Sequence, residues 1–267
     1  MLSYLNFIQM RKDLLRMALA AKSNGAHLGG SLSLVEVMGA LYGGVMNWTV
    51  GDPDRDRLIF SKGHGVMAQY VALKQVGLLS DDELLTYKTT GSIASAHPSI
   101  HQSRLGIDFA SGSLGQGLSL GVGCALALKR RGSSARTFVI LGDGECDEGS
   151  VWEAAQSAAH YGLGRLVAIV DVNGLQYDGQ TEDVMGKGDF CAKWNSFGWQ
   201  VKEVDGHDVD ALIRALGGPN ENAPTVVIAK TVKGKGISFM ENVTAWHHGV
   251  LSQRLFEQAM QELGGNS

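Results

Sequence analysis

Apolar positions along this chain recur in two rhythms, and the change from one to the other organises it. In the first third they return at helical spacing over 5–20, again over 34–46 and again over 66–76, which predicts three helices. Ser31 and Ser33 stand before the second as candidate caps. A short apolar piece, Leu58-Ile59-Phe60, runs straight into Ser61-Lys62-Gly63-His64-Gly65. Residues 88–113 are rich in Ser, Thr, Gly and His without periodicity, and so long a connection in a compact domain is functional or disordered. Beyond it the text is regular. Helices are expected over 115–129, 150–161, 189–197, 208–216 and 251–263, and strands over 137–141, 166–171, 199–204 and 225–230. Strand and helix alternating in this way predict an α/β fold with a doubly wound, mostly parallel sheet flanked by helices. Gly117, Gly121 and Ala125 fall on one helical face, where another backbone could approach. No composition break or repeat marks a boundary, so one domain over 1–267 is expected.

Composition narrows the class. The 267 residues include 23 Lys+Arg against 27 Asp+Glu, a net charge of −4, with 44% hydrophobic and 19% charged residues. That is a globular balance, not a disordered one. Mild acidity argues against a nucleic-acid binder, because phosphate contacts need a concentrated positive face. Glycine is abundant at 36 and proline scarce at 4, which suggests tight turns and close approaches in a folded protein. Cys124, Cys146 and Cys191 form no CxxC pair, so neither a disulfide framework nor a thiolate zinc site is expected. No apolar run is long enough to span a membrane. Residues 1–17 carry charges within their apolar pattern and read as an amphipathic helix, not a signal peptide. The expected compartment is the reducing cytoplasm.

Ligands of an open parallel sheet bind beyond the carboxyl ends of its strands. Three unusual segments lie there: Gly142-Asp143-Gly144-Glu145-Cys146-Asp147-Glu148-Gly149, Asp171-Val172-Asn173-Gly174, and Thr231-Val232-Lys233-Gly234-Lys235-Gly236. A glycine turn feeding a helix offers free N–H groups to an anion, yet the first segment is crowded with carboxylates. A divalent cation between them and a phosphate resolves the conflict. Mg2+ is commonly held by one or two carboxylates plus substrate phosphates, and Asp143, the Asn173 amide oxygen and a nearby carbonyl would supply one face of its octahedron. The rival motifs fail. No GxxxxGK[ST] occurs, and Asp147 breaks a GxGxxG by taking its third glycine position.

Gly142-Asp143-Gly144, followed thirty residues on by Asn173, resembles the thiamine-diphosphate-binding motif. The chain as a whole resembles the N-terminal, diphosphate-binding half of transketolase, in the variant split between two polypeptides. The resemblance rests on Gly25-Ala26-His27-Leu28-Gly29-Gly30-Ser31, Phe60 to His64, Ala96-His97-Pro98, Gly112 to Gly117, Phe197-Gly198-Trp199, Val204 to Asp208, Lys230 to Gly236 and Ala245-Trp246-His247, in family order. It implies the thiamine-diphosphate-binding fold of the diphosphate-binding type. It also implies that Asp143, Asn173 and the Leu175 carbonyl hold Mg2+, while Gly144, His64, Asn173 and His247 reach the diphosphate. Gly112 and Leu114 would line the cofactor ring. His27, His97 and His247 would face the ketose and shuttle protons, helped by an ordinary imidazole pKa near ~6.5, and Glu148 would be the buried carboxylate coupling two active sites. His101, His160 and His207 read as structural, and Lys233 and Lys235 as solvated charges flanking a glycine turn.

The family pattern differs at Ala26-His27-Leu28-Gly29, at Ser113 and at His247-His248, where Trp246 favours His247 as the site residue. The pyrimidine-binding domain, which carries the family's activating glutamate, is expected with the C-terminal domain on a separate chain. An α2β2 assembly acting on sugar (phosphate) substrates, inactive as one chain alone, follows. Three alternatives remain: another thiamine-diphosphate enzyme (a 2-oxo-acid dehydrogenase subunit or deoxyxylulose-phosphate synthase), a Mg2+-dependent phosphohydrolase, and a non-catalytic subunit that kept the fold.

Overall fold

Strand residues here point alternately into two apolar layers, as a sheet covered on both faces requires. The computed structural model describes residues 5–218 and 222–264. Its strands are β1 (Arg57–Phe60), β2 (Thr137–Gly142), β3 (Leu166–Val172), β4 (Leu175–Gln176), β5 (Gly179–Gln180), β6 (Gln200–Asp205) and β7 (Thr225–Lys230). Five of them form one sheet in the order β1-β2-β3-β7-β6, every pairing parallel, while β4 and β5 make a small antiparallel hairpin. The helices are α1 (Phe7–Ala20), α2 (Leu28–Leu32), α3 (Val35–Ala40), α4 (Met67–Gln75), α5 (Asp81–Leu85), α6 (Gly117–Arg130), α7 (Gly149–His160), α8 (Thr181–Val184), α9 (Phe190–Ser196), α10 (Val209–Leu216) and α11 (Gln253–Glu262).

Val139, Leu141, Ala168, Val170, Val226 and Ile228 face the layer of α6, α7 and α9, together with the fully buried Trp194. Phe138, Ile140, Val167, Ile169, Val227 and Ala229 face the other layer, built from α1 to α4 and α10. After β3 the chain passes into the first layer through α9, and after β7 it passes into the second through Ile237 and Met240. The carboxyl ends of these adjacent strands therefore open a crevice, the position where such sheets bind ligands.

The glycine face of α6 makes the expected close approach. A Cβ on Gly121 would lie 2.5 Å from Val139 Cγ2, and one on Gly117 would lie 2.6 Å from Ser61 Cα. Other elements depart from expectation. The helix expected over 34–46 ends at Ala40 and loosens into a wide turn over Leu41–Val45, where Gly43-Gly44 cannot sustain it. Ser31 and Ser33 do not cap; their hydroxyls bond the His27 and Gly30 carbonyls. The sixth helix starts at Gly117, because Gly115 sits at φ +79. Helix α5, with its capping box of Ser80 and Glu83, and the β4–β5 hairpin were not expected. Residues 1–4 of the amphipathic N-terminal stretch lie outside the described residues. Among those described, no helix is long and apolar enough to cross a membrane.

Candidate active site

A cavity of about 390 Å3 opens at the carboxyl ends of the strands. The turn after β1 supplies Lys62 and His64, the turn after β2 supplies Gly142 to Glu145, and the segment after β3 supplies Asn173 and Leu175 to Asp178. His27 and Gly30 come from the start of α2, His97, Gly112 and Leu114 from the long polar loop, and Lys233 and His247 from the chain after β7. Ten expected site residues thus meet in one place: His27, His64, His97, Gly112, Leu114, Asp143, Gly144, Asn173, Leu175 and His247. Glu148 is not among them. It is exposed on this chain, beside Gly115, and the buried carboxylates of that turn are Asp143 and Glu145.

The two acidic strand tips are fastened together. Asp143, only 4% exposed, accepts the Gly144 N–H at 2.8 Å and the Gly174 N–H at 2.7 Å. Asn173 gives its Nδ2 to Asp171 at 2.9 Å, which fixes the amide orientation, since an oxygen there would repel the carboxylate. Its Oδ1 takes the Leu175 N–H at 3.1 Å and keeps a second lone pair. Burial and the nearby Asp171 charge push the Asp143 carboxyl above its ordinary range, which marks a site short of positive charge. The Gln176 Oε1 is buried with no partner, 2.9 Å from where a Cβ on Gly144 would stand. Among the described residues no three His, Cys, Asp or Glu side chains form a metal cluster. The Asp143 carboxylate, the Asn173 amide and Leu175, with its backbone carbonyl, all line the cavity and carry hard oxygens.

Behind the tips lie three buried ionisable groups, Lys62, Asp171 and Glu145, whose contacts pattern alone did not announce. Burial would raise the Asp171 carboxyl, but the Lys62 ammonium, with the Thr231 and Ser33 hydroxyls, outweighs it and holds the group below its ordinary value. Glu145 accepts the Ser61 hydroxyl, the Gly115 N–H at 2.9 Å and the Gly142 N–H at 3.0 Å, which ties the long loop to the β1 and β2 ends. Nothing local in the sequence announces a Lys62–Asp171 pair separated by 109 residues.

The histidines form a packed group. The His27 ring centroid lies 5.2 Å from His64, 6.2 Å from His97 and 5.7 Å from His247. The expectation of near-neutral pKa values does not survive their burial. Burial, followed by the His248 and Lys88 charges, lowers His27 to about 3, and burial with the Lys233 charge lowers His247 to about 4. Burial also lowers His64 and His97. All four are neutral at pH 7, able to donate or accept hydrogen bonds without carrying charge. The His27 Nδ1 is buried without a partner. Of the histidine pair, His247 lines the cavity, whereas His248 lies against Lys88, 3.3 Å from its Nζ.

Lys233 is not a solvated charge. It is 2% exposed and gives its Nζ to the Leu175 carbonyl at 2.9 Å and to His247 Nδ1 at 3.0 Å. Burial, then the Lys62 charge, pushes it down to about 8. Because the ammonium can only donate, His247 Nδ1 accepts, and Nε2 carries the imidazole proton. The close packing of Gly29, whose Cβ would lie 3.0 Å from Lys233 Cγ, is what buries the stem.

The family model described as "Transketolase, thiamine diphosphate binding domain" matches residues 7–267. The chain is 41% identical over 258 residues to an apulose-4-phosphate transketolase subunit of Phocaeicola vulgatus, covering 95% of this chain and 90% of that one. It is 39% identical over 242 residues to the 6-deoxy-6-sulfo-D-fructose transketolase subunit SqwG of a Clostridium species, covering 89% and 88%. A crystal structure of a transketolase variant from Pichia stipitis superposes with a TM-score of 0.85 at 28% identity, covering 98% of this chain and 41% of that one. The chain therefore spans about two fifths of that solved transketolase.

Proposed function

The chain belongs to the transketolase family through its thiamine-diphosphate-binding domain, and from that premise we propose that it is the N-terminal subunit of a heteromeric transketolase. The reaction is transfer of a two-carbon ketol unit from a ketose to an aldose. A second polypeptide, carrying the pyrimidine-binding domain and its activating glutamate, completes the site in a cytoplasmic α2β2 assembly. The relatives' designation as subunits supports a partner, since those proteins cover nearly the same length as this chain.

One observation carries the reading: the Asp143 and Asn173 tips, bonded through Gly174 at the ends of the paired strands β2 and β3, both present hard oxygens to the cavity. Asp143, Asn173 and the Leu175 carbonyl would hold Mg2+, and Gly144, His64, Asn173, His247 and Lys233 would meet the diphosphate. The Leu175 carbonyl accepts from Lys233 on one lone pair and keeps a second that a cation could use. Gly112 and Leu114 would flank the cofactor ring. When bound, thiamine diphosphate supplies a carbon nucleophile that adds to a carbonyl and stores electrons, chemistry that side chains lack.

The protein's own part is positioning and proton handling. Neutral His27, His97 and His247 would orient the hydroxyls of the ketose; an imidazolium at His247 would face the Lys233 and Lys62 charges, and one at His27 or His97 would face Lys88. Glu148, exposed beside Gly115, is assigned to the contact that couples two active sites. The test is co-expression with a second chain that carries the pyrimidine-binding domain, followed by assay on a panel of phosphorylated, branched and sulfonated ketoses. The complex should transfer two carbons and the single chain should not. Full turnover by the single chain, or phosphate release without thiamine, would contradict the proposal.

A further inference from the structure

The loop that carries Lys233 into the cavity is held from outside it. At one end Val232 donates its N–H to His207 Nε2 at 2.9 Å. At the other the Lys235 carbonyl accepts from Arg11 Nε at 3.0 Å. The two anchors meet on one carboxylate: Glu36 takes Arg11 Nη2 at 2.7 Å on one oxygen and His207 Nδ1 at 2.9 Å on the other. Arg11 comes from α1, Glu36 from α3, and His207 from the turn before α10. Arg11 and Glu36 are each 7% exposed, and none of the three lines the cavity.

Chemistry fixes the order of donors. A peptide N–H can only donate, so His207 Nε2 holds the lone pair, and Nδ1 carries the proton given to Glu36. Both ring nitrogens are thus used in tertiary contacts. Between the anchors Lys233 and Gly234 have little freedom. Gly234, at φ +79, donates to the Gly29 carbonyl at 3.0 Å, and the Lys233 carbonyl accepts from Asn242 at 2.9 Å. Well-packed hydrocarbon in place of a buried ion pair is often as stable or more so. What this network adds over hydrocarbon is a defined place for the loop, and the only residue of 231–236 that lines the cavity is Lys233.

We infer that Arg11, Glu36 and His207 are positioning residues that pin the 232–235 loop and so aim Lys233 at the Leu175 carbonyl and His247. The inference rests on the reading of the cavity as the active site. It is tested on the full chain labelled with 15N at histidine, first without cofactor and then by calorimetric titration with thiamine diphosphate and Mg2+. His207→Asn puts an amide where Nδ1 lies but does not reach Val232, whereas His207→Gln restores an acceptor at the Nε2 position. With His207→Asn the His247 Nδ1 resonance should lose its hydrogen-bonded shift and cofactor binding should weaken about ten-fold or more, as supporting groups around a metal site typically do. With His207→Gln both should stay near wild type. An Asn variant indistinguishable from wild type would overturn the inference, and so would a Gln variant equally impaired. Should the Asn variant fail to fold, Arg11→Lys, which keeps the charge but removes the Nε donor, takes its place: an unchanged His247 resonance overturns the inference and a lost shift supports it. The histidine spectrum needs no cofactor, so a wild-type chain that fails to bind thiamine diphosphate counts against the functional reading alone.

Discussion

Gly174 donates its N–H to Asp143 Oδ2 at 2.7 Å, so the turn that ends β3 is bonded to the turn that ends β2. That bond places Asn173 beside Asp143 through the backbone, and each of their side-chain oxygens, though it accepts one peptide N–H, keeps a lone pair for a cation. Asp143→Asn keeps an acceptor for one backbone N–H and removes the charge. The fold should persist, with Mg2+-dependent thiamine diphosphate binding lost beyond the ~10–100-fold typical of groups one shell further out. Calorimetry with and without Mg2+ measures this, and binding within a few-fold of wild type would count against the assignment.

Lys233 is a buried cation whose partners are a carbonyl and a neutral imidazole. Replacing a poorly paired buried charge by an apolar chain of similar volume is often neutral or stabilising. Lys233→Met should therefore unfold at the same or a higher denaturant concentration than wild type, while its affinity for thiamine diphosphate falls. Lower stability with unchanged affinity would refute this.

Acid should destabilise the chain through its site histidines. Their folded pKa values, about 3 for His27 and about 4 for His247, lie below the ordinary value of 6.5. Above 6.5 both states are neutral there and nothing is lost; as pH falls below it, the unfolded chain takes up protons that the folded chain resists. Stability should drop from pH 7 toward pH 4. For His27 the share at pH 5 is on the order of 1–2 kcal/mol after discounting its partial exposure. Urea titrations at the two pH values should find a smaller difference in His27→Gln than in wild type; equal differences would mean that His27 is not held neutral by the fold.

Glu145 gathers a hydroxyl and two peptide N–H groups. Glu145→Ala strands those buried donors, each at about 1–3 kcal/mol unless water enters. A fall of at least ~3 kcal/mol in unfolding free energy is expected, together with faster hydrogen exchange at Gly115 and Gly142. A loss under ~1 kcal/mol would show that water replaces the carboxylate.

Much of this was legible in the sequence, for physical reasons. Strands such as Thr137–Gly142 and Thr225–Lys230 are runs of apolar residues because both their faces are covered. Asp143, Asn173 and the histidines stood in glycine turns at strand ends, where function collects. What escaped was decided by tertiary contact. Lys62 and Lys233 look like ordinary surface lysines until Asp171 and Gly29 enclose them. Glu145 and Glu148 differ only in which way the turn rotates them, and His207 needs Glu36, 171 residues away, to be more than a turn residue. Helix α5 could have been found, since Ser80 and Glu83 spell a capping box.

The most direct measurement is anomalous diffraction from crystals of this chain with its partner, grown with thiamine diphosphate and Mn2+ in place of Mg2+. The account predicts one strong anomalous peak touching an Asp143 oxygen, the Asn173 amide oxygen and the Leu175 carbonyl. A peak elsewhere, or cofactor bound with no metal between these strand tips, would contradict it.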